Sequence, residues 1–182
     1  MFHGYIGREC RFIQQSWKDM EAILAIRTSQ KLSEDEVNRF WYAVDAFLMA
    51  SANISKTLWG SERSDRAYNE RTVERGKELR TRIEVGSLPN LKAKKVRDYF
   101  EHFDSKIDAW CLLDHDCVYD SNIKPNREFR KIKGTDRLRV FDPESKCLHV
   151  GERLQLNFGA VLKEVFEIQS KLDAHLPRVD SE

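Results

Sequence analysis

Arg97, Asp98 and His102 stand together in the run Arg97-Asp98-Tyr99-Phe100-Glu101-His102-Phe103-Asp104. An imidazole with an ordinary pKa near ~6.5 takes up a proton at neutral pH, which is what a general base must do. A guanidinium offers paired N–H donors to a phosphate and offsets negative charge that develops in a transition state. Asp98 precedes His102 by four residues, one helical turn, where a carboxylate orients an imidazole and raises its basicity. These types can do acid–base chemistry beside an anion. The same residues also make two plain i,i+4 pairs, Arg97 with Glu101 and Asp98 with His102. On a solvated helix such pairs are worth only about 0.2–0.5 kcal/mol each. Both readings stay open at this level.

The element that positions them is a helix expected from about Leu91 to Leu113, opened by Ser87-Leu88-Pro89-Asn90. Val96, Tyr99, Phe100, Phe103, Ile107 and Trp110 recur three and four apart. The stripe centres near Phe103 and Ile107, and Arg97 and His102 fall about 110° to either side of it. Neither is therefore expected to point into the core. A helix over about 9–30 is expected from Phe12, Ile13, Trp17, Met20, Ile23 and Leu24. A second begins at the capping box Ser33-Glu34-Asp35-Glu36 and ends near Gly60, and the two are expected to form an antiparallel hairpin. Tyr42 is expected to pack in the bundle, and Trp17, Trp41 and Trp110 are expected to anchor a core or an interface.

Residues 61–73 are polar and weakly periodic and are read as a loop; Glu74–Val85 is read as a short charged helix. Leu138, Val140 and Phe141, then Asp142-Pro143-Glu144-Ser145, then Cys147, Leu148 and Val150 give a β-hairpin signal. A last helix starts near Asn157, and Pro177 closes it. The expected fold is mainly α: an antiparallel four-helix bundle in one domain over residues 1–182. Residues 61–90 form a connecting loop and short helix, and a small β-hairpin insertion occupies about 127–150.

Composition fits this picture. The chain has 182 residues, 41% hydrophobic and 34% charged, with eight Gly and four Pro, and a mean hydropathy of −0.62. That argues against a disordered chain and against a loop-rich all-β fold. No run of eighteen uncharged apolar residues occurs, so no membrane helix is expected. The opening Met1-Phe2-His3-Gly4-Tyr5 lacks the charged-then-apolar pattern of a leader, and a cytoplasmic location is expected. Cys10, Cys111, Cys117 and Cys147 are read as reduced thiols. With His115 and His149 they show no tight ligand pair, so no metal site and no cofactor are expected.

The net charge of +1 conceals segregation. Residues 61–97 carry a surplus of five basic charges, 98–123 a deficit of six, and 124–139 again a surplus of five. The last block holds Lys124, Arg127, Arg130, Lys131 and Lys133, the candidate contacts to a polyanionic backbone. Balance by the neighbouring acidic block is the alternative reading of the same charges.

The Arg97–His102 spacing, with a polar residue directly after the arginine, resembles the R-x4-6-H motif of the HEPN superfamily. The surrounding RDYFEHFDSKIDAW is similar to the motif helix of bacterial HEPN-like proteins. The resemblance implies a helical bundle and a metal-independent endoribonuclease. Arg97 and His102 would carry catalysis, with Asp98 in support. It also implies a homodimer in which two motif helices lie side by side, so that one histidine serves as base and the other as acid. The implied substrate is RNA, cleaved to a 2′,3′-cyclic phosphate. A role as the toxin of a toxin–antitoxin pair is implied too, with a nucleotidyltransferase-type antitoxin as partner. Members of the superfamily that keep the fold and lose activity imply the other outcome, a catalytically silent helical dimer that binds protein or nucleic acid.

Overall fold

The computed structural model describes residues 1–61 and 65–175. Helix α1 (Phe2–Arg27) buries Ile6, Cys10, Ile13, Trp17, Met20 and Ile23 on one face. Their three- and four-residue spacing is what a single apolar stripe requires. The helix starts earlier than its apolar pattern alone indicates. Helix α2 (Glu34–Trp59) opens on the expected capping box: Ser33 Oγ accepts from the Glu36 N–H at 3.3 Å, and the Glu36 carboxylate accepts from the Ser33 N–H at 2.7 Å. Two orphan donors are thereby satisfied reciprocally. The two helices pack along their length as a hairpin. Trp17 and Trp41 are core residues as expected, whereas Tyr42 is 78% exposed and does not pack in the bundle.

Residues 61–73 do not form a loop throughout. Helix α3 (Arg66–Ile83) begins where the Asp65 carboxylate accepts from the Tyr68 N–H at 3.1 Å. It packs against α2. Its apolar pattern is weak because a close backbone approach and polar bonds hold it. Gly76 lies so near Leu58 that a Cβ there would sit 2.4 Å from the Leu58 carbonyl oxygen. Arg80 donates to that same carbonyl.

The long helix expected over Leu91–Leu113 is instead three pieces: α4 (Pro89–Lys92), α5 (Lys95–Glu101) and α6 (Phe103–Cys111). Ala93 is extended, at φ −63° and ψ 121°, and His102 leaves the helical region at φ −122° and ψ 36°. In an unbroken helix the Leu91 carbonyl would accept from the N–H four residues on; here it accepts from the side chain of Arg97. The second break frees α6 to lean towards the β region, where Trp110 Nε1 donates to the Thr135 carbonyl at 2.5 Å.

The hairpin expected around 127–150 is confined to β2 (Arg139–Asp142) and β3 (Cys147–Val150) and belongs to a four-stranded sheet. Strand β1 (Asn122–Ile123) pairs parallel to β2, and β4 (Leu154–Asn157) pairs antiparallel to β3. Between β2 and β3, Val140 faces His149 and Phe141 faces Leu148. The turn forms as its residues dictate, with the Asp142 carboxylate accepting from the Glu144 N–H and the Ser145 hydroxyl. Residues 126–136 are not strand; they hold a short helix α7 (Asn126–Phe129) and a 3-10 turn at Gly134–Asp136.

Helix α8 (Phe158–His175) follows β4 directly, with Asn157 Oδ1 accepting from the Ala160 N–H at 2.8 Å. It packs against α1, α3 and α4. The expected stop at Pro177 lies outside the described residues. Buried side chains of α1, α2, α3, α8 and the sheet form one contiguous core, with Phe47 stacked on Phe158 at 4.1 Å. The protein is mainly helical with a small sheet, and the fourth long helix is α3 rather than the motif segment. No helix among the described residues is long and apolar enough to cross a membrane.

Candidate active site

The arginine of the motif is placed from three directions. Helix α2 interrupts its apolar face with two small polar residues one turn apart, Ser51 and Ser55, both buried. The Arg97 guanidinium fills the space they leave: Nη1 donates to the Leu91 carbonyl at 2.7 Å and the Ser51 carbonyl at 3.3 Å, and Nη2 donates to Ser55 Oγ at 3.1 Å. Arg97 is only 3% exposed. This corrects the helical-wheel reading, which turned it away from the core. The wheel assumed one continuous helix with one apolar face, whereas the break at Ala93 presents a backbone carbonyl to the guanidinium. Burial lowers the Arg97 pKa to about 10, with Asp98, Glu101 and Glu164 opposing the shift. It therefore stays a cation at neutral pH.

His102 sits at the junction of α5 and α6 and is exposed, as expected. It shares a polar cleft of about 350 Å³ with Arg97 and Asp98. So the three motif residues line one depression, although Arg97 is almost wholly buried. Ser55, Lys56, Lys94 and Glu101 are also in the wall, with Ala52, Gly60 and Ser61.

Neither of the two i,i+4 side-chain pairs forms. Glu101 instead pairs with Lys56 on α2 at 2.7 Å, and Asp98 makes no hydrogen bond to the His102 ring among the described residues. The orienting contact expected of Asp98 is thus not present in this arrangement. The cleft thus carries an accessible imidazole, a fixed guanidinium, the Lys94 ammonium, the Lys56–Glu101 pair and the Asp98 carboxylate. A tetrahedral anion placed there would meet three cationic side chains, two carboxylates and one proton acceptor.

The basic block does not line this cleft. Arg127 pairs with Glu144 and Lys133 with Asp116. Lys124 lies over the Tyr119 ring at 5.4 Å. Arg130 and Lys131 are exposed beyond α7. Part of the block is therefore neutralised locally, one pair by the acidic segment next to it. The Lys56 and Lys94 positions were not singled out by sequence reasoning. The signal for the site's second wall was the Ser51/Ser55 pair, polar residues at helical spacing on a face that is otherwise apolar.

Of the residues weighed as metal ligands, Cys111 and Cys117 are exposed and Cys147 is buried in β3. His115 stacks on Trp110, and His149 packs edge-on against Phe129. Among the described residues no cluster of three or more His, Cys, Asp or Glu is arranged to hold a metal ion.

Comparison with known proteins finds no matching family model, no similar curated protein and no similar solved structure.

Proposed function

We propose that this protein is a HEPN-like, metal-independent endoribonuclease that works as a homodimer. The observation that carries the reading is the shared cleft: Arg97, Asp98 and His102 line one polar depression even though the helix that bears them is broken. In the reaction His102 takes the proton from a ribose 2′-OH, and the 2′-oxygen attacks the adjacent phosphorus. Arg97, with Lys56 and Lys94 nearby, offsets the charge that builds on the phosphate oxygens. The P–O5′ bond breaks, and the 5′-oxygen takes a proton from the imidazolium of the second copy. The products are a 2′,3′-cyclic phosphate and a 5′-hydroxyl. Arg130 and Lys131 lie outside the cleft and would hold flanking RNA backbone, giving salt-sensitive binding.

Support for a second copy comes from α6. It carries apolar residues at helical spacing yet buries none of them; Ile107 is exposed, as are Leu112 and Leu113 just past the end of the helix. A partner's motif helix laid alongside would cover them. A toxin role, held in check by a nucleotidyltransferase-type antitoxin, extends the same resemblance.

One observation favours the alternative, a catalytically silent dimer that binds protein or nucleic acid: three of the five N–H groups of Arg97 are spent on internal acceptors. Incubation with RNA in excess chelator separates the two. Cleavage by the wild type that is lost in His102→Ala supports the nuclease; RNA binding with no cleavage, unchanged by that substitution, supports the silent dimer.

A further inference from the structure

Next to the Arg97–His102 cleft lies a second depression of about 300 Å³, and the two share Ala52, Arg97 and Glu101 in their walls. Its character is different. Leu48, Met49, Phe100 and Phe103 make it largely apolar, and beside the shared Arg97 and Glu101 two further charged side chains reach it, Asp45 from α2 and Arg139 from β2.

Arg139 is fixed rather than free. Its Nε and Nη2 donate to the two Asp120 carboxylate oxygens at 2.8 and 2.6 Å, and Nη2 also donates to Ser121 Oγ. Its guanidinium lies 4.0 Å from the Phe103 ring centroid and 5.4 Å from that of Trp41. Asp45 is the opposite case: its carboxylate makes no hydrogen bond or ion pair among the described residues, and the Arg139 cation of the same pocket acts on it only through charge. An acceptor-only group on the rim of an aromatic slot is complementary to a flat molecule that presents N–H donors.

Resting on the ribonuclease reading above, we infer that this pocket is the subsite for a guanine base of the RNA flanking the scissile phosphate. Phe100 gives the stacking surface, beside a Phe103 ring that the Arg139 guanidinium already covers at 4.0 Å, and Asp45 reads the base. RNA bases splayed from a strand stack on aromatic rings and arginine planes and are read along their Watson–Crick edges. Guanine offers two adjacent donors there, N1–H and N2–H, which match the two oxygens of one carboxylate. Adenine presents an acceptor at N1, and uracil flanks its single N–H with carbonyls, so each meets Asp45 with repulsion. The shared wall lets a nucleotide place its base in the apolar slot and its phosphate against Arg97, Lys94 and His102.

The test uses 3′-GMP and 3′-AMP, titrated into the wild type, into Asp45→Asn, and into His102→Ala. The inference predicts that 3′-GMP binds about tenfold more tightly than 3′-AMP, the discrimination expected of one paired hydrogen-bond contact. That preference persists in His102→Ala and shrinks to within about threefold in Asp45→Asn, whose melting temperature stays at the wild-type value because the side chain is exposed. Equal binding of the two nucleotides, binding of neither, or a preference untouched by Asp45→Asn would overturn it. The ribonuclease reading fails separately: guanine-selective binding with no RNA cleavage in chelator removes the nuclease and leaves the base subsite standing.

Discussion

Arg97 Nη1 lies 2.7 Å from the carbonyl oxygen of Leu91, so a side chain of α5 closes the break that separates it from α4. The same Leu91 donates its own N–H to Glu164 Oε2 on α8, also at 2.7 Å. The guanidinium offered to the cleft is thus tied through one residue to the C-terminal helix. It is a structural group and a candidate catalytic group at once, and the consequences of the two roles can be separated.

Arg97→Ala removes three hydrogen bonds from a charged donor and leaves a void beside Ser51 and Ser55. A loss of about 2–4 kcal/mol in unfolding free energy is expected. His102→Ala, at an exposed position, is expected to change stability by no more than about 0.5 kcal/mol. Urea unfolding of both variants checks this. Loss of activity in Arg97→Ala alone would be ambiguous, which makes His102→Ala the informative substitution.

Glu164 is only 8% exposed and accepts from Asn90 N, Asn90 Nδ2 and Leu91 N at 2.6–2.9 Å. Glu164→Ala leaves these donors without their acceptor and is expected to cost about 2–3 kcal/mol. Because α4 is the base on which Arg97 rests, the variant should also loosen the cleft. Hydrogen exchange over residues 89–101 should accelerate relative to α1.

Gly76 marks the closest approach of α3 to α2. A methyl group added by Gly76→Ala would lie 2.4 Å from the Leu58 carbonyl oxygen and 2.7 Å from its carbon, both backbone atoms that cannot swing aside. The gain in helix propensity is outweighed by this clash, and a net loss of about 1–3 kcal/mol is expected in thermal or denaturant unfolding.

His149 gives a pH dependence. Burial holds its imidazole below the ordinary value, Arg137 adds to the shift and Asp142 opposes it. The unfolded chain therefore binds this proton at a higher pH than the folded one. Its contribution to stability is present above about pH 6.5, falls as the pH drops through that value, and levels off below the folded pKa. Replacing the ring by His149→Phe should flatten the wild-type decline between pH 7.5 and 5.5, as read by unfolding free energies across that range.

Parts of this fold were legible from particular residues. The Ser33–Glu36 box fixed the start of α2, the Asp142–Ser145 run fixed the β2–β3 turn, and Pro89 marked the start of α4, each because the side chain bonds or constrains its own local backbone. Helix α3 was half missed because its attachment to α2 is a glycine and an arginine on a carbonyl, neither of which leaves an apolar period. The breaks at Ala93 and His102 were missed because the apolar spacing of 91–113 is unbroken. At the breaks the chain makes a side-chain bond from Arg97 back to Leu91 and one from Trp110 to Thr135, neither of which shows in the apolar spacing. Sequence placed Arg97, Asp98 and His102 in one short segment, but that Arg97 is buried against α2 depends on Ser51 and Ser55, over forty residues upstream.

The most direct measurement is the chemistry of the ends produced from a defined RNA in excess chelator, read by mass spectrometry for wild type and His102→Ala. The account predicts fragments carrying a 2′,3′-cyclic phosphate and a 5′-hydroxyl from the wild type and intact RNA from the variant. Intact RNA with both proteins, or fragments ending in a 3′-hydroxyl and 5′-phosphate, would contradict it.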